Sequence, residues 1–277
     1  MFVTADKLLN LTRGRSVHAV SYGWDGFSPE FLVYSREGGL EKLPLDEFAF
    51  ALSDEQLCVG SFRDGAYRPC PFHRHVEYTD QCDFCSRSII PIQRCLFEPI
   101  CDGHLCDWDL CKRKHLIYIA FYGEKLKVGM TSSSRIGERL VEQGADAYFT
   151  FGEYPNRKAA REMEKRISNE LSIPQMHRST ELLDDLWRGP DFERIGAVYE
   201  RISTAAEGRY AITPGELRPL DRYPIEQPLP ERPRLAELAS IHEGKVIGLK
   251  GRFAVYESSG LRAVSLSSAT SRRMVLL

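Results

Sequence analysis

No cysteine precedes Cys58 or follows Cys111; all eight in this 277-residue chain fall between those two positions. Eight cysteines in a chain of this length are too few for a disulfide-stapled scaffold. Long apolar runs are also absent. The longest, Leu116 to Tyr122, has seven residues, against roughly 20 for a membrane-spanning helix. Met1 to Leu11 holds no apolar stretch of signal-peptide type, so the expected location is the cytoplasm, with no membrane partner. A strong charge of either sign is missing as well: 37 Lys and Arg stand against 39 Asp and Glu, a net of −2. No global basic field therefore advertises nucleic acid. What is there is ordinary globular composition, 43% hydrophobic and 27% charged, with length for about two domains of roughly 150 residues each.

The pattern along the chain predicts an α+β protein. Residues 1–57 read as β-rich, with strands at Val17–Tyr22 and Phe31–Tyr34 and turns at Gly23–Gly26 and Gly38-Gly39. Residues 58–114 are the cysteine window, poor in apolar side chains. Residues 115–205 alternate between the two periods. Strands are expected at Leu116–Phe121, Glu124–Met130 and Ala147–Phe151. Helices are expected at Ser134–Gln143, stopped by Gly144, from an Asn156 cap to Leu171, and over Asp191–Ala205. Residues 206–243 read as a linker, since six of fifteen prolines lie between Pro214 and Pro233. Residues 244–277 return to strand patterning. The two β-rich segments are open to pairing with each other in one small β domain.

The cysteine window points to metal. A reducing compartment disfavours disulfides, and Cys82-Asp83-Phe84-Cys85 has the spacing with which two thiolates reach one tetrahedral ion from a tight turn. Eight thiolates make two sets of four, so two structural zinc sites are expected. The simplest partition is sequential: Cys58, Cys70, Cys82 and Cys85 on one ion, Cys95, Cys101, Cys106 and Cys111 on the other. An interleaved pairing, or replacement of a thiolate by His73, His75 or His104, fits the spacing equally. Four protein ligands close a tetrahedron and leave no position for substrate. The metal then replaces a missing apolar core.

A second constellation lies just beyond the cysteines. Leu116-Ile117-Tyr118, Lys127-Val128-Gly129-Met130-Thr131, Arg139-Leu140 and Glu164 follow one another in the order that resembles the GIY-YIG nuclease superfamily, with Lys-Val-Gly where Tyr-Ile-Gly is usual. That resemblance implies a small antiparallel sheet with flanking helices. It implies catalytic roles for Tyr118, Arg139 (with Arg135 as a rival) and Glu164, the last holding Mg²⁺. Gly129, Thr131, Lys127 and Arg135 then become phosphate or nucleic-acid contacts. Independently, helical spacing puts Glu164 on one face with Ala160, Ile167 and Leu171, where a carboxylate is costly unless paired, protonated or metal-bound.

The whole chain also resembles an uncharacterised archaeal and actinobacterial family, a domain of unknown function. That resemblance is carried by the cysteine cluster, His115 to Ala120, Lys127 to Gly129, Glu142 to Asp146 and Gly248 to Gly251. Between Lys112 and Arg178 there are 13 Lys and Arg against 8 Asp and Glu, a local excess that suits phosphate. The resulting expectation is a zinc-stabilised protein that acts on DNA or RNA, either as a Mg²⁺-dependent endonuclease or as a non-catalytic binding module. A scaffold for a protein partner is the third class.

Overall fold

A computed structural model describes residues 14–45, 48–63, 65–106 and 108–277, so the first thirteen residues of the expected N-terminal segment lie outside the described residues. In chain order, the first strands are β1 (Arg15–Asp25), β2 (Ser28–Ser35), β3 (Gly39–Pro44), β4 (Phe48–Gln56), β5 (Ser61–Arg63) and β6 (Ala66–Arg68). Short helices α1 (Asp83–Ser86) and α2 (Asp109–Lys112) mark the cysteine window. Then come β7 (His115–Tyr122), β8 (Lys125–Ser132), α3 (Ile136–Gln143), β9 (Ala147–Tyr154), α4 (Arg157–Leu171), α5 (Ser179–Arg188) and α6 (Phe192–Tyr210). The remainder holds β10 (Arg218–Pro219), β11 (Arg234–Leu235), β12 (Ile241–Lys250), β13 (Phe253–Ser258), β14 (Gly260–Ser265), α7 (Leu266–Ala269) and β15 (Arg272–Leu276). Among the described residues, no helix is long and apolar enough to cross a membrane.

The chain divides into two compact units. The first comprises residues 1–93, 224–226 and 233–277; the second comprises 94–223 and 227–232. The first unit carries a nine-stranded sheet in the order β11-β14-β13-β12-β4-β15-β1-β2-β3. Strands from the two ends of the chain therefore share one sheet: β15 lies between β1 and β4, and β12 pairs with β4. Alternation buries Val17, Ala19, Phe31, Val33, Phe50, Leu52 and Met274. A bulge between Ala19 and Ser21 shifts the register and lets neighbouring Val20 turn inward too. The turn expected at Gly23–Gly26 sits farther along. β1 continues through Trp24, which is buried, pairs with Pro29 and donates its indole N–H to the Gly251 carbonyl (3.0 Å). Gly26, at φ +60°, makes the reversal.

The second unit is a four-stranded sheet in the order β10-β9-β7-β8 with helices around it. One face of β7 and β9 presents Ile117, Ile119, Phe121, Phe149 and Phe151 to Ile167 of α4 and to Ile195 and Ile202 of α6. Each such side chain contributes roughly 1.5–3 kcal/mol by leaving water. The Asn156 side chain caps α4 by accepting from the Ala159 N–H (2.9 Å), and Gly144 ends α3 at φ +77°.

Three expectations need correction here. Helix α5 was not anticipated, although Leu182, Leu183 and Leu186 give it a buried face. The 206–243 stretch does more than link: α6 runs on to Tyr210, β10 joins the sheet beside β9, and buried Tyr223 donates its hydroxyl to the Ala145 carbonyl (3.0 Å). The cysteine window is not a single module, because the division between units falls inside it, after Gln93.

Candidate functional site

The first four cysteines are drawn together from three pieces of chain. Cys58 follows β4, the β5–β6 hairpin returns the chain to Cys70, and Cys82 and Cys85 flank the first turn of α1. Gly60 makes this approach possible. Its φ is +79°, and a side chain there would meet the backbone of Arg68 and Pro69. All four thiols are buried, and their sulfur atoms lie within 4.8 Å of one another, Cys70 and Cys82 at 3.9 Å. Four zinc–sulfur bonds of roughly 2.3 Å require sulfur–sulfur edges of about 3.8 Å. The four cysteines thus fit one metal ion such as zinc, with no vertex left for substrate. The Cys82 N–H donates to Cys58 Sγ (3.2 Å), the backbone–sulfur contact that neutralises part of a thiolate's charge. Without metal, burial pushes Cys58 up to about 11 and Cys85 higher still. Cys70 is also penalised by burial, but the amides of Arg74 and Phe72, with neighbouring thiols, outweigh that and draw it down to about 7.

The last four cysteines are not gathered in this way. Among the described residues, no three of Cys95, Cys101, Cys106 and Cys111 approach as closely as the first set. An arginine organises this stretch instead. Arg157, the first residue of α4, is 8% exposed and donates to the carbonyls of Cys95 (2.7 Å) and Leu96 (2.6 Å). It also hydrogen-bonds the Cys111 thiol, which burial nonetheless pushes up. None of the three candidate histidines joins the first set. His75 pairs with Glu55 (3.6 Å) and His104 with Asp102 (2.6 Å), both at the surface, and His73 sits at φ +45° in the loop after Cys70.

The second constellation is brought together around the β7–β8 hairpin. Tyr118 and Gly129 are cross-strand partners, and the tyrosine ring lies over the glycine. A methyl group on Gly129 would stand 2.5 Å from the ring carbon Cζ, so no larger residue fits. The amide of Gln143, at the end of α3, is the hub: its Oε1 accepts from Tyr118 Oη (3.3 Å), Tyr122 Oη (3.2 Å) and Lys127 Nζ (2.7 Å). Tyr118 is 1% exposed, and burial raises its pKa, while the adjacent Arg139 guanidinium and Gln143 act against that rise. Glu164 is 6% exposed and lies close enough to both Tyr118 and Lys127 to affect their charge balance. Its carboxylate accepts from Arg161 Nη1 (2.6 Å) and from the Met130 N–H. Burial raises the Glu164 pKa; Arg161 and Lys127 oppose it without reversing it.

Tyr118, Lys127, Gly129 and Glu164 therefore meet, and Arg139 reaches Tyr118 while pairing with Glu142 (3.6 Å). Arg135 stands apart, drawn off by Glu138 (3.1 Å) and Glu142 (3.4 Å). Thr131 follows on the same face of β8 as Lys127 and Gly129, opposite Leu116 of β7. Sequence reading missed three participants. Gln143 follows α3's apolar stripe and looks like a solvated cap. Arg161 falls three residues before Glu164, the spacing of a helical ion pair, and that signal was available. Arg157 gives no sign in the sequence of what it holds.

Comparison with curated proteins and with solved structures finds no match. A family described as a protein of unknown function, DUF2797, matches residues 46–267, which take in all eight cysteines and the whole hairpin constellation. On that match over most of its length, the chain belongs to the DUF2797 family.

Proposed function

We propose that this is a zinc-stabilised nucleic-acid-binding protein whose β7–β8–α3–α4 region is a divergent GIY-YIG-like domain that holds phosphate. The observation that carries the reading is the gathering of Lys127 and Arg161 at one buried carboxylate, Glu164, with Arg139 beside the neighbouring Tyr118 hydroxyl. Arg139 also pairs with Glu142 (3.6 Å) and Arg161 with Glu98 (3.3 Å), so a phosphodiester would be held by exchanging these ion pairs for guanidinium–phosphate contacts. The hairpin, helix, strand, helix order and the Tyr118–Gly129 pair agree with the resemblance. In this reading the cytoplasmic protein carries two zinc ions, the second drawing Cys95, Cys101, Cys106 and Cys111 closer than they stand without metal.

Catalysis by a single Mg²⁺ on Glu164 is the second reading, and the convergence of Tyr118, Arg139 and Glu164 favours it. The carboxylate as it stands does not suit that ion. Its oxygens already accept from Arg161 and Met130.

Fluorescence anisotropy with labelled single-stranded and duplex DNA and RNA, over a range of salt, tests the binding reading. Binding is expected to weaken steeply with salt, and the Arg139→Ala variant to bind roughly tenfold more weakly with a shallower salt slope. Equal affinity in wild type and variant would sink it. Cleavage products that need Mg²⁺ and vanish in Glu164→Gln would promote the second reading.

A further inference from the structure

The first unit holds a cavity beside the first cysteine quartet, with Cys58 and Cys70 in its wall. It encloses about 270 Å³ between β1, β2, the loop carrying Cys70, and β15. Its charged lining is all of one sign. Arg36, Arg273, His18 and His73 face it, and no aspartate or glutamate does. Arg273 is partly occupied, by Glu55 at 3.6 Å behind it. Arg36 is exposed, and among the described residues no carboxylate pairs with it. His18 is held by the Leu57 carbonyl at Nε2 (3.2 Å) and by the backbone of Ser271, so it forms part of the wall. Ser35 Oγ accepts from the Gly38 N–H (2.9 Å), so its own proton remains to donate.

Two arginines line the cavity and no carboxylate does, so an anion with several oxygens finds donors there without a competing acid in the wall. Guanidinium forks and serine hydroxyls in one lining match phosphate better than a single carboxylate. The remaining wall is aromatic. Tyr34 and Tyr67 stand with ring centroids 5.3 Å apart at 53°. The Tyr67 hydroxyl is committed to the Val59 carbonyl (2.9 Å), which fixes its ring edge at the cavity. A flat ring fits such a wall by stacking. The volume is at the small end of ligand sites.

We propose that this cavity binds a phosphate-bearing ligand with a flat ring, of mononucleotide class, with Arg36 and Arg273 on the phosphate and Tyr34 and Tyr67 beside the ring. The same chemistry is offered by a free mononucleotide and by the 5′-phosphorylated end of a nucleic-acid strand.

Isothermal titration of the full, metal-loaded chain at low salt separates them. The probes are AMP, adenosine, and one short oligonucleotide with and without a 5′-phosphate. AMP is expected to bind and adenosine to bind at least tenfold more weakly, a difference of about 1.4 kcal/mol. Arg36→Ala is expected to remove most of that preference. Arg36 is exposed and unpaired, so the substitution leaves the fold intact, which circular dichroism checks; Arg36→Glu should abolish AMP binding. A free nucleotide is the ligand if AMP binds and the phosphorylated end gains nothing over the unphosphorylated strand. A strand end is the ligand if the phosphorylated oligonucleotide binds tighter than AMP and loses that advantage in Arg36→Ala. The proposal is overturned if adenosine equals AMP, if neither AMP nor the phosphorylated end binds, or if Arg36→Glu binds as wild type does.

Discussion

Two quartets of cysteine occupy one stretch of sequence and reach different ends. Cys58, Cys70, Cys82 and Cys85 converge to within 4.8 Å, whereas among the described residues Cys95, Cys101, Cys106 and Cys111 form no group that tight, although Cys101 and Cys106 stand near enough to Cys111 to raise its pKa. Residue type and number are the same, so the difference lies in what surrounds them. The first set has a hairpin to turn the chain back, a glycine at φ +79° to allow close backbone approach, and a two-residue knuckle. The second set has neither knuckle nor hairpin. Its loop is pinned by Arg157 from the neighbouring helix, through two carbonyls and a thiol. Local chain geometry prebuilds the first site; the second depends on a tertiary contact.

The largest effect should come from breaking the first quartet. If the quartet holds the metal ion it fits, Cys85→Ser or chelation should remove binding free energy on the order of 10 kcal/mol. The first unit should then lose cooperative unfolding, seen by circular dichroism, with one zinc per chain fewer by elemental analysis. Unchanged metal content would mean that the quartet is not a metal site. Metal uptake should also weaken as pH falls, because Cys58, at about 11 without metal, must give up its proton to bind. Protons released in a weakly buffered zinc titration measure this.

A smaller effect separates the other quartet. Arg157→Ala leaves the buried carbonyls of Cys95 and Leu96 without a charged donor, at a cost of about 3 kcal/mol. Urea unfolding that shifts by less than a third of this would show that the second loop is held by metal alone, making the two quartets alike.

Smaller again is Gly129→Ala, which forces the Tyr118 ring aside and should cost about 1–3 kcal/mol in the second unit while leaving zinc content unchanged.

The smallest effect is at Glu164. A carboxyl whose folded pKa is raised stabilises the protein below its unfolded pKa and loses that contribution as pH rises through the folded value. Glu164→Gln should therefore equal wild type near pH 4 and be more stable, by roughly 1 kcal/mol, at pH 7. Thermal melts at the two pH values check the sign. A variant less stable at pH 7 would mean that Arg161 holds the carboxylate more strongly than burial opposes it.

The sequence carried the local features well. Asn156 as a cap, Gly144 as a stop and the inward face of Glu164 follow from spacing alone and are present. Non-local features were out of reach. Trp24 lies in what reads as a turn, yet its indole reaches Gly251, and no local pattern encodes that. Arg157 reads as a surface residue at a helix start until the cysteine loop is placed over it. The cysteine window looked like one module because its composition is uniform; the division after Gln93 follows from which sheet each half packs against. Gln143 was invisible for the same reason, since its role is set by three side chains from two strands.

The seat of β15 between β1 and β4 sets an order of events during synthesis. The second unit is encoded without interruption but for one short return, and can fold as soon as residue 232 has left the ribosome. The first unit must wait, with two of its strands lacking the neighbour they share, until Leu276 is out. The loop that carries Cys58, Cys70, Cys82 and Cys85 is thus made early on a platform completed late, so its thiols and the nascent β1–β4 strands wait over the time taken to translate everything between them.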